Sequence, residues 1–471
     1  ITIDGKILSY TATAGFIPIR EKKTNQVTAN IFFISYTKDG VKNTSTRPLT
    51  FAFNGGPGAA SMFLHLGAFG PRIAPRSPDG TALLPPPYKV MDNPNTLLDF
   101  TDLVFIDPVG TGYSHTVGDY DPHHFWGVKE DILSVTEFIR QFLTSQGRLL
   151  SPIFIMGESY GGVRSAGLAK YLQNTGIYPL GIIMISPVLD LENIQWSSMG
   201  DRAILLTIPT YTAIAWYHKK IAPRLQGEDL ATVLEEVRTW TRDELLPAFW
   251  EGNAISAEKK QAIAKRMAEY IGVPQEWILQ QNFRIREDDY AGEILRKEGK
   301  SISVYDGRVT ALGPYTGDEN DQIMFNYSGP LKTAIVSYLR RELNFTTDRE
   351  YMSGNPQVYL DWNWESGRQP AISPDTINPG YPDAGPFLAQ ALSRCSFLKV
   401  FIASGVFDLE CPYDSVVYSI NHLNLPPERL RNITIKIYPG GHMVYMNPIA
   451  QRKLKNDLKE FYRQVLMENR V

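Results

Sequence analysis

Cysteine is nearly missing from this chain: there are two in 471 residues, Cys395 and Cys411. That excludes a disulfide framework, since at most one bridge could form. Neither CxxC nor HExxH occurs, so no zinc signature is present and no metal or other cofactor is expected. An excess of charge is lacking too, because 47 Lys+Arg stand against 50 Asp+Glu for a net charge of −3. No basic footprint for nucleic acid and no polybasic membrane patch follow from that balance. No segment approaches the roughly 18 uninterrupted apolar residues of a bilayer-spanning helix, and membrane insertion is not expected. Internal repeats and low-complexity tracts are absent. The chain starts at Ile1 without a charged start leading into an apolar run, so any signal peptide is expected to lie outside this sequence. Four Asn-x-Ser/Thr sequons, at Asn43, Asn326, Asn344 and Asn432, are too few to decide a compartment.

Hydrophobic residues make up 43% and charged residues 21%, the balance of a soluble globular protein with a large core. The length suits one α/β domain with a sizeable insertion, or two domains. Short β-branched and aromatic runs recur at 30–36, 49–53, 103–107, 153–156, 182–186, 400–403 and 433–438, read as each ended by Gly, Pro or Asn. Several are apolar on both faces, as in strands of a parallel sheet covered on both sides. Between them, residues 128–146 carry Ile132, Val135, Phe138, Ile139 and Phe142 at helical spacing. Alternating strands and helices argue for an α/β sheet. The alternation breaks between about 190 and 375, a stretch rich in Trp, Tyr and charge with helical signals at 230–238 and 257–270. The expected organisation is an α/β core over 1–189 and 376–471, with 190–375 as a mainly helical cap. A separate second domain is the alternative. Residues 451–466 read as an amphipathic helix packing on the sheet.

The strongest local signal is Gly157-Glu158-Ser159-Tyr160-Gly161, directly after the apolar run 153–156 and before a helical stretch. This is G-x-S-x-G in the strand–turn–helix setting of a nucleophile elbow, where the turn lifts the Ser oxygen above the sheet. Alone, the pentapeptide could equally be a Gly-rich turn; the strand before it favours the nucleophile. A Ser hydroxyl needs a base to take its proton and an acid to orient that base. In the α/β-hydrolase order the acid and then the His follow the Ser, on loops after late strands. Asp408 lies just past the run 400–403, and His442, one of only seven histidines, just past the run 433–438. Both fall at the carboxyl edge of the sheet, where α/β folds place their sites. Singly, either residue is more readily a loop or turn former. Three matches in order make Ser159, Asp408 and His442 the expected catalytic triad.

Asn54-Gly55-Gly56-Pro57-Gly58 follows another strand run, and adjacent glycines let backbone N–H groups approach a developing oxyanion. The expected oxyanion hole is the N–H groups of Gly56 and Tyr160. Gly110-Thr111-Gly112 also follows a strand, but position 115 is His, so the dinucleotide pattern fails.

Four motifs together resemble the serine carboxypeptidases, the group that includes carboxypeptidase Y, cathepsin A and the wheat enzymes. They are Asn54 to Gly58, Asp107-Pro108-Val109-Gly110-Thr111-Gly112-Tyr113-Ser114, Gly157-Glu158-Ser159-Tyr160-Gly161-Gly162 and Gly441-His442-Met443. The resemblance implies an α/β-hydrolase fold with a helical insertion. It also implies release of C-terminal residues from peptides, through an acyl-enzyme on Ser159. It gives Glu158, Asn54 and the Gly55 N–H the task of binding the substrate's terminal carboxylate. A protonated Glu can donate to a carboxylate, whereas an ionised one repels it. Peptides with a free C-terminus are the implied partners, and an extracytoplasmic location is the implied setting. The alternative on the same residues is an acyltransferase or esterase, and an inactive binding relative would be expected to have lost part of this set.

The sequence departs from the family pattern at Ala52, where many relatives have Trp. It departs again at Ala68, which stands where the family has a second carboxylate paired with the Glu, and at Val406, where the family has Asp. These departures point to a divergent, bacterial-type branch. The cysteines are expected to be free thiols at opposite ends of one strand, with Cys411 close to the site.

Overall fold

The computed structural model describes every residue except 4, 198–199, 318–319, 369–379 and 470–471. The expected junction at 375–376 lies outside the described residues. The main sheet is built from β1 (Tyr10–Arg20), β2 (Val27–Lys38), β3 (Leu49–Phe53), β4 (Asp102–Ile106), β5 (Ile153–Glu158), β6 (Gly181–Ile185), β7 (Lys399–Gly405) and β8 (Ile433–Tyr438). Their spatial order is β8-β7-β6-β5-β3-β4-β2-β1. From β8 to β4 all neighbours are parallel, and β2 and β1 add an antiparallel edge. A two-residue strand, His115–Thr116, also pairs with β2.

The parallel strands β3 to β7 are buried on both faces because the pleat divides one apolar run between two cores, whereas the edge strand β8 is partly exposed. From β5, Ile153 and Ile155 enter one hydrophobic cluster, while Phe154 and Met156 enter the other. From β7, Val400 and Ile402 part in the same way from Phe401 and Ala403. Among the described residues the longest helices are α1 (Val128–Ser145), α2 (Gly161–Gln173), α3 (Asp201–Tyr217), α4 (Leu230–Trp240), α5 (Ala257–Ile271), α6 (Gln322–Arg341), α7 (Gly385–Arg394) and α8 (Pro448–Glu468). Residues of α1, α2 and α7 complete the first cluster, and residues of α6 and α8 the second. Helix α1 buries the stripe of Ile132, Val135, Phe138, Ile139 and Phe142, and its first turn carries Glu130 and Asp131, favourable at a helix N-terminus.

A third hydrophobic cluster gathers Ile204, Ile208, Tyr211, Val237, Met267 and Tyr270 of α3, α4 and α5. It also takes in Val406, Phe407 and Leu409, which flank Asp408. Packing of the 201–271 helices therefore bears directly on one site loop. Among the described residues no helix is long and apolar enough to cross a membrane.

Candidate active site

The chain leaves β5 through Gly157 and Glu158, turns at Ser159 and enters α2 at Gly161. Ser159 takes φ 59°, a left-handed conformation that a non-glycine residue holds only under tertiary constraint. The constraint is a set of backbone bonds. Ser159 N–H donates to the Ile185 carbonyl at 3.0 Å, and the Ser159 carbonyl accepts from Gly162 at 2.8 Å and Val188 at 3.2 Å. The turn is thus tied to the end of β6 as well as to its own helix.

The loop after β3 lies against this turn. A Cβ on Gly55 would fall 2.6 Å from both the Glu158 carbonyl and the Tyr160 nitrogen, so only glycine allows the approach. Among the described residues, the loop backbone bonds use none of the Gly55, Gly56 and Tyr160 N–H groups. Asn54 is held from both ends. Its Oδ1 accepts from Leu64 N–H at 3.0 Å, which turns its Nδ2 toward Glu158 Oε2, and its main-chain carbonyl accepts from Arg164 Nη1 at 2.7 Å. Arg164 and Asp131 form an ion pair at 2.6 Å, with side-chain exposures of 1% and 2%. The pair joins α1 and α2, and through the Arg164 bond to the Asn54 carbonyl it ties both to the Asn54 loop. Asp107 braces the same loop further on, accepting from Ser61 N–H at 2.8 Å.

Asp408 and His442 sit on the loops after β7 and β8, and His442 Nδ1 is 2.9 Å from Asp408 Oδ2. The other carboxylate oxygen accepts from Cys411 N–H at 2.9 Å, and His442 N–H donates to the Tyr305 carbonyl at 2.6 Å. Burial works against the His442 cation, yet the Asp408 carboxylate outweighs it and holds the imidazole well above its ordinary value. Cys395 and Cys411 are both free and buried. Burial pushes the Cys411 thiol up to about 11, so it is protonated at neutral pH.

A cavity of about 120 Å³ is lined by Asn54, Gly55, Gly56, Glu158, Ser159 and His442, together with Phe63, Tyr305, Met324, Glu410 and Met443. Six of the residues expected from the sequence thus line one cavity, with Asp408 bonded to His442 and the Tyr160 nitrogen lying against Gly55. Among the described residues, no hydrogen bond joins Ser159 Oγ to His442. Such contacts are often long before substrate binds.

Glu158 is 2% exposed, and burial pushes its carboxyl up to about 7, although His442, Tyr445 and Asn54 all favour the ionised form. Its hydrogen bonds come from Asn54 and from Tyr445, whose Oη lies 2.8 Å from Oε1 and 2.6 Å from Oε2. Sequence reasoning missed Tyr445, Arg164 and Asp131, and named Asp107 only within a motif, without a role. A tyrosine three residues after His442 carries no motif, and the ion pair joins positions 33 residues apart in sequence.

The family model described as Serine carboxypeptidase matches residues 3–177, which contain the Gly-rich loop, Asp107 and the Ser159 turn. Over that stretch the chain is similar to the serine carboxypeptidases. The pheromone-processing carboxypeptidase KEX1 of Saccharomyces cerevisiae is 32% identical over 163 residues, 32% of this chain and 20% of that protein. Serine carboxypeptidase-like 38 of Arabidopsis thaliana is 28% identical over 199 residues, 39% of this chain and 37% of that protein. The chain thus matches a fifth to somewhat over a third of these relatives' length. In three dimensions it superposes on the crystal structure of KEX1(delta)p, a prohormone-processing carboxypeptidase from S. cerevisiae. The TM-score is 0.61 at 17% identity, covering 96% of this chain and 91% of that one. The fold is that of an α/β hydrolase with a helical insertion. Asp408 and His442 lie beyond the matched residues and rest on the geometry above.

Proposed function

We propose that this protein is a serine carboxypeptidase that removes the C-terminal residue of peptides. The observation that carries this reading is the place of Glu158, a carboxyl only 2% exposed that shares one cavity with Ser159 and His442; burial pushes it up to about 7. An esterase or endopeptidase has no need of such a group beside its nucleophile. A carboxypeptidase does, because a neutral Glu158 donates to the carboxylate that distinguishes a chain end from a chain interior.

Ser159 Oγ attacks the scissile carbonyl carbon while His442 Nε2 takes the hydroxyl proton. The Gly56 and Tyr160 N–H groups receive the oxyanion, and the imidazolium is stabilised by Asp408. Collapse breaks the C–N bond, and His442 returns the proton to the leaving amine, which departs as a free amino acid. Water then hydrolyses the acyl-enzyme with His442 as base again. Asn54 and the Gly55 N–H hold the terminal carboxylate beside Glu158. The proposed organisation is a core of 1–189 and 376–471 under a cap of 190–375, supported by the separate 201–271 cluster and its packing around Asp408.

The test uses a blocked dipeptide such as Z-Phe-Leu, its C-terminal amide, and the Glu158→Gln variant. Free leucine is the expected product. Peptide kcat/KM is expected to fall as pH rises through about 7, where Glu158 loses its proton. It also falls on the acid side as His442 takes one up; Asp408 holds that imidazole above its ordinary value, so the two limbs overlap and belong to the coupled pair. The amide should keep the acid limb and continue above pH 7. Absence of leucine, or a peptide profile unmoved by Glu158→Gln, would remove the exopeptidase reading.

A further inference from the structure

Tyr445 rides on the loop that carries His442, three residues later, in the short helical turn Val444–Met446. The ring is fully buried and packs against Phe69 with centroids 5.9 Å apart, and its main-chain carbonyl accepts from Arg76. Its hydroxyl reaches both oxygens of Glu158. We propose that Tyr445 is the positioning residue of the carboxylate-reading acid, aiming the Glu158 carboxyl and drawing the upper edge of peptide turnover down toward neutral pH. This inference rests on Glu158 reading the substrate's carboxylate.

The physical reason lies in what a phenol can do. Burial keeps the Tyr445 hydroxyl protonated far above neutral pH, so toward a carboxylate it acts as donor. A donor favours the ionised form of Glu158, whereas a second carboxylate there would have to share a proton and would favour the neutral form. Burial and the Asp408 charge act the other way, toward the neutral carboxyl. Ala68 carries only a methyl, and its carbonyl is taken by Asn93 and Gln451. Asn54 is a second donor to Oε2. The remaining charged or titratable groups at the cavity are His442, Glu410 and Tyr305, with Asp408 behind His442. Asn54 and Tyr445 both meet Glu158 at Oε2, and the Tyr445 hydroxyl also lies 2.8 Å from Oε1, so the carboxyl is fixed in orientation by two side chains.

Tyr445→Phe keeps the ring and removes the donor. Loss of one hydrogen bond to a charged group should move the alkaline limb of peptide kcat/KM up by about one pH unit. The amide profile should not move, and in Glu158→Gln the further change Tyr445→Phe should produce no shift. Incorporation of 3-fluorotyrosine at 445, a stronger donor of nearly the same shape, should move the limb down and gives an answer even where the Phe variant folds poorly. An unmoved limb in both variants, or equal movement for the amide, overturns the proposal while the Glu158 reading stands. A peptide profile unmoved by Glu158→Gln instead overturns the reading beneath it.

Discussion

Ser159 is the residue on which strain, position and chemistry meet. A left-handed serine costs roughly 1–2 kcal/mol, borne because the bonds to Ile185, Gly162 and Val188 leave the turn no relaxed alternative. Ser159→Ala removes the oxygen and keeps the backbone bonds, so it should abolish leucine release and fluorophosphonate labelling with unchanged thermal unfolding. Asp408→Asn and His442→Ala should each lower kcat by about 10⁴-fold or more, and combining them should add little, because triad members act as a unit. Active-site labelling with peptide mapping checks the first, and attachment at any residue but Ser159 would count against it. At the same scale the thiols are informative. Cys411 is buried with a protonated sulfur, so native protein should react slowly with a thiol reagent, while denatured, unreduced protein should show two thiols. A count of zero would mean a disulfide that the free cysteines of this structure exclude.

At the scale of elements, β5, the Ser159 turn and α2 are one unit that tolerates almost no added volume. A Cβ on Gly157 would lie 2.2 Å from the Gly161 carbonyl and 2.5 Å from Ser165 Oγ. Gly157→Ala should therefore force the helix away from the strand and cost about 2–3 kcal/mol in urea unfolding, with activity lost in parallel. The Arg164–Asp131 pair gives a different signature. Arg164→Met strands a buried carboxylate and should cost about 3–5 kcal/mol, whereas Arg164→Met with Asp131→Leu should recover much of that loss. If the pair positions Asn54, the recovered stability should come without recovered peptide kcat/KM. Equal recovery of both would show that the pair supports folding alone.

At the scale of the whole molecule, the sheet draws its site from distant sequence. Residues near 54, 158, 408 and 442 meet because parallel strands bring their carboxyl ends to one edge. The 201–271 helices add a cluster that closes around Val406, Phe407 and Leu409, so loss of packing there should reach Asp408. A core truncation such as Met267→Ala should cost about 2–5 kcal/mol, and a raised acid limb or lowered kcat well below the unfolding temperature would show that link.

The sequence by itself determined what local chemistry can determine. Strand runs with buried faces appear where the sheet has its parallel strands, because apolar runs between breakers have few other homes. The Ser159 turn was legible from its glycines, and Asp408 and His442 from their places just after strands. The hairpin edge β1 was missed, since Tyr10–Arg20 is half exposed and mixes small, polar and apolar residues without a clean period. Only the tertiary structure decided what surrounds Glu158. Its partners Tyr445 and Asn54 lie 287 and 104 positions away, so no spacing rule relates them. A carboxyl's protonation depends on burial and on donors within about 3 Å, and those are properties of the packed chain and not of its local sequence.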